Sequence, residues 1–192
     1  MSVCALDRVL APGSRWRATA DFDLSPLREG DGADLLAHFA DPRVVEFMDI
    51  DPVGDLDEAV AIVGWATSQR AAGHGVRLAI RDRASGAFVG TCGFNSLTLA
   101  RGRRGEIAYD LGVAWWGRGV MGQILPHLID MGFQALDLHR LEALVTPGNQ
   151  RSCALLERHG FCREGLLRDH GFWKGGFQDQ LLFARLVQPG EG

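Results

Sequence analysis

The segment Trp115-Trp116-Gly117-Arg118-Gly119-Val120-Met121-Gly122 carries three glycines at the spacing Gly-x-Gly-x-x-Gly. It lies between a stretch with strand periodicity and one with helical periodicity, so it delivers backbone N–H groups to a helix N-terminus. Four such groups have no partner inside a helix, and the helix dipole adds roughly half a positive charge there. Glycine lets the backbone approach a ligand closely. An anionic phosphate is the natural occupant. Taken alone, the spacing also fits the dinucleotide fingerprint, with Glu142 about 20 positions further on as the acidic partner. Glu142 falls in mid-strand, however, and only one strand–helix–strand unit follows where a dinucleotide fold needs two halves. Gly-x-x-x-x-Gly-Lys-Ser/Thr is absent. The plainest alternative is a glycine-rich helix start that binds nothing.

Composition narrows the remaining chemistry. Hydrophobic residues make up 46% and charged residues 23% of 192 positions, which suits one globular domain with a sizeable core. A net charge of −4 argues against a broad nucleic-acid footprint. Arg101, Arg103 and Arg104 read as a solvated hairpin tip. Cys4, Cys92, Cys153 and Cys162 include no Cys-x-x-Cys pair, and the six histidines show no His-Glu-x-x-His spacing, so no metal site is expected. No apolar run approaches the roughly 20 residues that span a bilayer. Met1–Arg17 lacks the basic start and apolar core of a secretion signal. A cytoplasmic protein is the expectation.

The elements that must position the loop follow from periodicity. Residues 1–20 read as an N-terminal arm and 21–188 as a single domain. Phe22–Leu27 reads as a strand, and Asp31–Phe39 and Val44–Met48 as short helices. Asp55 caps a longer helix with Ala59, Ile62, Val63 and Ala66 at helical spacing, ended by Gly73. Val76, Leu78 and Ile80 alternate along one strand, and Phe88–Phe94 forms the next. The strand Glu106–Val113 should set Ile107, Tyr109, Leu111 and Val113 on one face and Glu106, Ala108 and Asp110 on the other. Arg118–Leu136 is helical, Leu141–Val145 a strand, and Asn149–His159 a helix closed by Gly160. Phe161–Leu167 and Gln180–Leu186 are the last strands. The order describes a mixed α+β fold.

Taken in series, these motifs resemble the GNAT acyltransferases, specifically the RimJ/RimL-like branch. The residues that carry the resemblance are Glu106-Ile107-Ala108-Tyr109, Trp116-Gly117-Arg118-Gly119, Leu138-His139-Arg140-Leu141, Asn149-x-x-Ser152, Leu156-Glu157-Arg158-His159-Gly160-Phe161 and Glu164-Gly165-Leu166-Leu167-Arg168. Leu27-Arg28 and Asp41-Pro42-Arg43-Val44 also look like that branch, so the likeness covers about residues 21–187. Trp116 stands where the family has Gln or Arg, and Met121 where it has Ala or Gly. Pro126, inside the predicted helix, removes a hydrogen bond.

The resemblance implies a mostly antiparallel sheet of about seven strands, flanked by helices and splayed at an acetyl-CoA site. It implies acetyl-CoA as donor, no metal, and a primary amine as acceptor, either a protein N-terminal α-amine or a small molecule. The cofactor contacts it implies are Leu111, Val113, Arg118, Gly119, Val120, Met121, Gly122, Asn149, Ser152 and Arg158. Glu106 is the candidate base, acting through water, and Ser152 the candidate donor to the departing thiolate. Asp110 is the reserve acid and, with Trp173, a candidate for the acceptor side. Plainer readings stand beside these. Glu106 could pair with Arg104, Asn149 is an effective N-cap, and Tyr109 reads as core. Phe172, Trp173 and Phe177 fit an acceptor wall or a homodimer seam. A CoA-binding module without catalysis, or an oxidoreductase using the glycine loop, are the alternatives.

Overall fold

The computed structural model describes residues 16–187. Its eight strands are β1 (Trp16–Arg17), β2 (Phe22–Pro26), β3 (Val76–Asp82), β4 (Phe88–Thr98), β5 (Arg104–Leu111), β6 (Arg140–Val145), β7 (Cys162–Trp173) and β8 (Gly176–Leu186). They form one sheet in the order β1-β2-β3-β4-β5-β6-β8-β7. Every pairing is antiparallel except β5 with β6. Seven of these strands match the expected sheet. The eighth, β1, lies in the segment read as an arm, with Trp16 opposite Leu24 and Ala18 buried just beyond it. Residues 1–15 of that segment lie outside the described residues.

Helices cover both faces. On one side lie α1 (Gly32–Phe39), α2 (Pro42–Val45) and α3 (Leu56–Ala72), packed through Leu35, Phe39, Val45, Val63 and Ala66. On the other side α4 (Val120–Asp130) buries Ile124, Leu125 and Leu128, and α5 (Gln150–Arg158) buries Leu155 and Leu156. Strand alternation feeds both layers: Leu78 and Ile80 join the α4-side core while Ala79 joins the other. Local chemistry sets the helix ends. The Asp55 carboxylate accepts from the Glu58 N–H at 2.9 Å, and Gly73 closes α3 at φ 71°. Pro126 has no N–H, so the carbonyl four residues back, that of Gly122, loses its helical donor. A single π-turn, Met131–Ala135, continues α4, so the predicted helix to Leu136 changes pitch at its end.

The feature that matters for function is a split in the sheet. β5 and β6 pair only over Arg104–Glu106 and Arg140–Glu142. Beyond that rung β5 stays with β4 and β6 with β8, so the two strands part between Ile107 and Ala143. The crossover through α4 makes them parallel. Their carboxyl ends therefore open on the same side, and a cleft of about 1980 Å³ fills the gap. Single-ligand sites run to roughly 300–1,000 Å³, so two substrates can lie here end to end.

Candidate active site

Glu106 stands on the last shared rung of β5 and β6, opposite Glu142, and lines the cleft. A β-bulge in β4 decides its other partner. Phe94 pairs with Ile107 and Ser96 with Glu106, so Asn95 is an extra residue with no opposite number. Bulges re-aim side chains in this way beside functional sites. The Asn95 carboxamide accepts from Arg77 Nη1 at 3.3 Å and donates to the Glu106 carboxylate. Burial raises the Glu106 pKa above the ordinary carboxylate value; Glu142 and Asp49 push the same way, while Asn95 and His170 oppose them. A carboxylate with a raised pKa is a stronger base than an ordinary one, which suits it to accept a proton. The alternative partner Arg104 is exposed at the start of β5, and Glu142 is held by Arg140 Nε at 2.6 Å.

Asp110 shares that face of β5 and also lines the cleft, but its oxygens are already engaged within the protein. It is buried, and four donors fill its oxygens. His38 Nε2 meets Oδ1 at 2.6 Å, the Thr91 N–H reaches Oδ1 at 2.9 Å, the Thr91 hydroxyl reaches Oδ2 at 2.5 Å, and Arg77 Nη2 reaches Oδ2 at 2.9 Å. Burial opposes its charge, but His38, Arg77 and Thr91 together hold its pKa below the usual value. Its folded pKa is thus depressed, so its stabilising contribution is present above the unfolded carboxylate value near 4 and is lost as pH falls through the folded one. Asp110→Asn is expected to lower unfolding free energy by about 3 kcal/mol at pH 7, since it leaves Arg77 buried without its counter-charge. It should also flatten the acid limb of the stability–pH profile. Urea titrations of both proteins from pH 7 to pH 3 measure this.

On the opposite face of β5, Tyr109 is partly buried against the core, but its hydroxyl meets the Ser152 hydroxyl at 2.8 Å at the cleft wall. Ser152 is held in the first turn of α5, where its N–H donates to the Asn149 side chain at 3.1 Å. The cap reading of Asn149 and its place at the cleft therefore coexist.

At the far end of the cleft, α4 begins on Gly119, which offers no side chain to cap it. Gly117 and Gly119 adopt φ of 71° and 73°, conformations that favour glycine, and no atom lies within 4 Å of where a Cβ would stand at either, or at Gly122. The first turn, Gly119 to Gly122, lines the cleft with room around its backbone, as a phosphate-binding helix start requires. Trp116 does not block them: its ring N–H is tied to the Leu111 carbonyl at 2.8 Å, and Arg151 sits 4.9 Å above the ring. Arg158 lines this end as well.

The other end is roofed. Lys174 and Gly175, at φ 51° and 77°, form the two-residue turn between β7 and β8. The Lys174 ammonium donates to the Val45 and Glu46 carbonyls at 2.6 and 3.0 Å, pinning that hairpin to the end of α2. Thr146 donates to the Phe47 carbonyl at 2.9 Å from the end of β6. Between these ties Glu46, Phe47, Asp49, Trp65 and Trp173 line the cleft with Glu106.

Most predicted contacts meet in this one cleft: Leu111, Gly119, Val120, Met121, Gly122, Asn149, Ser152, Arg158, Glu106 and Trp173 all line it. Val113 does not. β5 ends at Leu111 and Val113 starts a 3-10 turn, so the expected alternation stops short of it. Arg118 is exposed, with its guanidinium 5.4 Å over Trp115, so only its backbone belongs to the loop. Phe172 and Phe177 are 64% and 66% exposed and meet edge to face outside the cleft that Trp173 lines. Asn95, Arg151 and the Tyr109 hydroxyl are site groups that sequence reasoning missed. Among the described residues no cluster of His, Cys, Asp and Glu could hold a metal, and no helix is long and apolar enough to cross a membrane.

A split sheet with an uncapped helix start at one end of its cleft and a carboxylate at the other is an arrangement suited to setting a phosphate-bearing ligand against a second substrate. Residues 22–162 match the family described as "Acetyltransferase (GNAT) domain", and the chain belongs to that family. It is 38% identical over 165 residues to the uncharacterized N-acetyltransferase p20 of Bacillus licheniformis, a match covering 85% of this chain and 92% of that protein. The fold superposes on Mycobacterium smegmatis RimJ in complex with CoA-disulfide with a TM-score of 0.78 at 25% identity, covering 86% of this chain and 82% of that one. It also superposes on RimL, a ribosomal L7/L12 α-N-protein acetyltransferase, in complex with coenzyme A. There the TM-score is 0.81 at 20% identity, over 91% and 98% of the two chains, a likeness of fold.

Proposed function

We propose that this protein transfers the acetyl group of acetyl-CoA to a primary amine, either the α-amine of a protein N-terminus or a small-molecule amine. The observation that carries the reading is the polarity of one cleft. Uncapped amides of the Gly119–Gly122 turn, with Arg151 and Arg158 nearby, suit the diphosphate of the donor. Glu46, Asp49 and Glu106 at the roofed end suit a cation, the form in which an amine arrives at neutral pH. The coenzyme in the RimL and RimJ complexes, and the α-amino substrate that RimL's description gives, support both halves of the reading.

The chemistry follows from where the groups stand. The amine must lose a proton, and Glu106 accepts it through water. The nitrogen then attacks the thioester carbonyl, the C–N bond forms, the C–S bond breaks with its electron pair on sulfur, and the proton that the now cationic nitrogen sheds passes through water to neutralise the thiolate. Ser152, on the cleft wall, offers its O–H to that sulfur.

Incubation of the purified protein with acetyl-CoA and a panel of N-terminal peptides, polyamines and lysine analogues, with released thiol as readout, tests the reading. Thiol release that depends on at least one amine is expected. Calorimetric CoA binding with no turnover across the panel would replace it with a non-catalytic role. An NADPH fluorescence change without CoA binding would replace it with redox chemistry.

A further inference from the structure

Tyr109 is the chain's one tyrosine, and it sits at an unusual place for an apolar-face residue. Its ring packs against the core, yet its hydroxyl reaches Ser152, 43 positions away, at 2.8 Å. We propose that Tyr109 is a positioning residue for the acetyl transfer inferred above: it donates to Ser152 and thereby fixes where the serine proton points. This inference rests on that reading of the cleft.

Two hydroxyls in contact share one hydrogen, and either can be the donor. If Ser152 donated to Tyr109, its proton would be engaged and the sulfur would receive no hydrogen bond from it. If Tyr109 donates, the serine hydrogen is free to turn into the cleft. The surroundings favour the second arrangement. Ser152 is fixed by its own N–H bond to Asn149 and lines the cleft, whereas Tyr109 has its ring in the core and no other hydrogen-bond partner among those the structure gives its hydroxyl. Arg151 and Arg158 line the same cleft, Glu157 and Arg163 act on Cys153 beside Ser152, and among the described residues neither hydroxyl is given a bond to a carboxylate or guanidinium. Burial pushes the phenol pKa up to about 12, with the Ser152 bond opposing, so Tyr109 keeps its proton throughout the working range. It is not consumed in the reaction. The amine's proton leaves through Glu106 and water, the departing sulfur is met by the Ser152 O–H, and Tyr109 holds that O–H in line.

Three measurements test this. Tyr109→Phe should lower kcat about tenfold while the KM for acetyl-CoA and calorimetric CoA binding stay within twofold. In a Ser152→Ala background the same change should have no further effect, because there is no hydroxyl left to orient. A full tenfold loss in both backgrounds would overturn the proposal. Global replacement of tyrosine by a fluorotyrosine labels position 109 alone and needs no change of shape. Fluorination lowers the phenol pKa, so a new alkaline fall in kcat should appear where the 19F shift shows the phenol ionising. Ionisation seen by 19F without any such fall would also overturn it, even if the Phe variant failed to fold. Absence of turnover in the unsubstituted protein with every amine would instead remove the proposed function, while the 19F titration would still report whether the Tyr109–Ser152 bond exists.

Discussion

Replacing Glu106 by Gln should slow acetylation of lysine-type amines by about 10²–10⁴-fold, the range that a positioned general base supplies. The loss with α-amines should be smaller. An α-amino group with pKa near 8 is about a tenth neutral at pH 7, whereas a lysine near 10.4 is neutral roughly once in a few thousand molecules. The first needs little help to present a lone pair; the second needs a group to take its proton. Glu106 is placed for that task by three constraints: the last β5–β6 rung, the Asn95 bulge and the desolvated start of the split. Because burial, Glu142 and Asp49 raise its pKa, activity should climb as pH passes a value above the ordinary carboxylate range. Removing the Glu142 charge with Gln should move that limb towards lower pH; Asn95→Ala, which deletes a donor to the charged form, should move it higher. Rate profiles with one α-amine and one lysine analogue measure all of this. Equal losses with both acceptors, or none, would remove Glu106 as the base.

The residues that were legible in the sequence are those whose signals are local. Asp55 and Gly73 mark the ends of α3, and the alternation of Val76, Leu78 and Ile80 marks β3, because caps and period-two burial act within a few residues. The glycine loop was legible for the same reason. What escaped depends on distant partners. Asp110 looks available in sequence, yet His38, Thr91 and Arg77 come from 72, 19 and 33 positions away to saturate it. Tyr109 reads as core from its periodicity, and its ring is; only its terminal oxygen belongs to the site. The Asn95 bulge is a one-residue offset between paired strands, and nothing in β4 alone announces it. The alternation in sequence covers only part of the last two strands, because the Lys174-Gly175 turn that joins them, and the bulges at Arg163 and at Leu167, interrupt it. Position in the split cleft is a property of the pairing, so it appears only once the sheet is assembled.

Gly119→Asp should weaken CoA binding by about 10²-fold while leaving the protein folded. Gly119 is the N-cap of α4 at φ 73°, and a Cβ there meets nothing within 4 Å, so a side chain has room. Asp tolerates the left-handed region better than most residues, which limits the backbone strain. Its carboxylate, however, would lie at the site proposed for the diphosphate and compete for the same first-turn N–H groups. Two unit charges about 5 Å apart repel by roughly 3 kcal/mol at an effective dielectric near 20, and each 1.4 kcal/mol is about tenfold in affinity. Gly119→Asn separates the causes, because it brings nearly the same volume and backbone preference without the charge. It should lose no more than about tenfold, in line with the roughly 1 kcal/mol that an unfavourable backbone position costs. The Asp loss should also shrink as salt rises, since this end of the cleft is open to solvent and its charges are screened. Calorimetry with CoA for the three proteins at low and high salt reads each part. An Asp variant that melts normally and binds CoA unchanged would detach the loop from the donor, and with it the direction in which the thioester is aimed at Glu106.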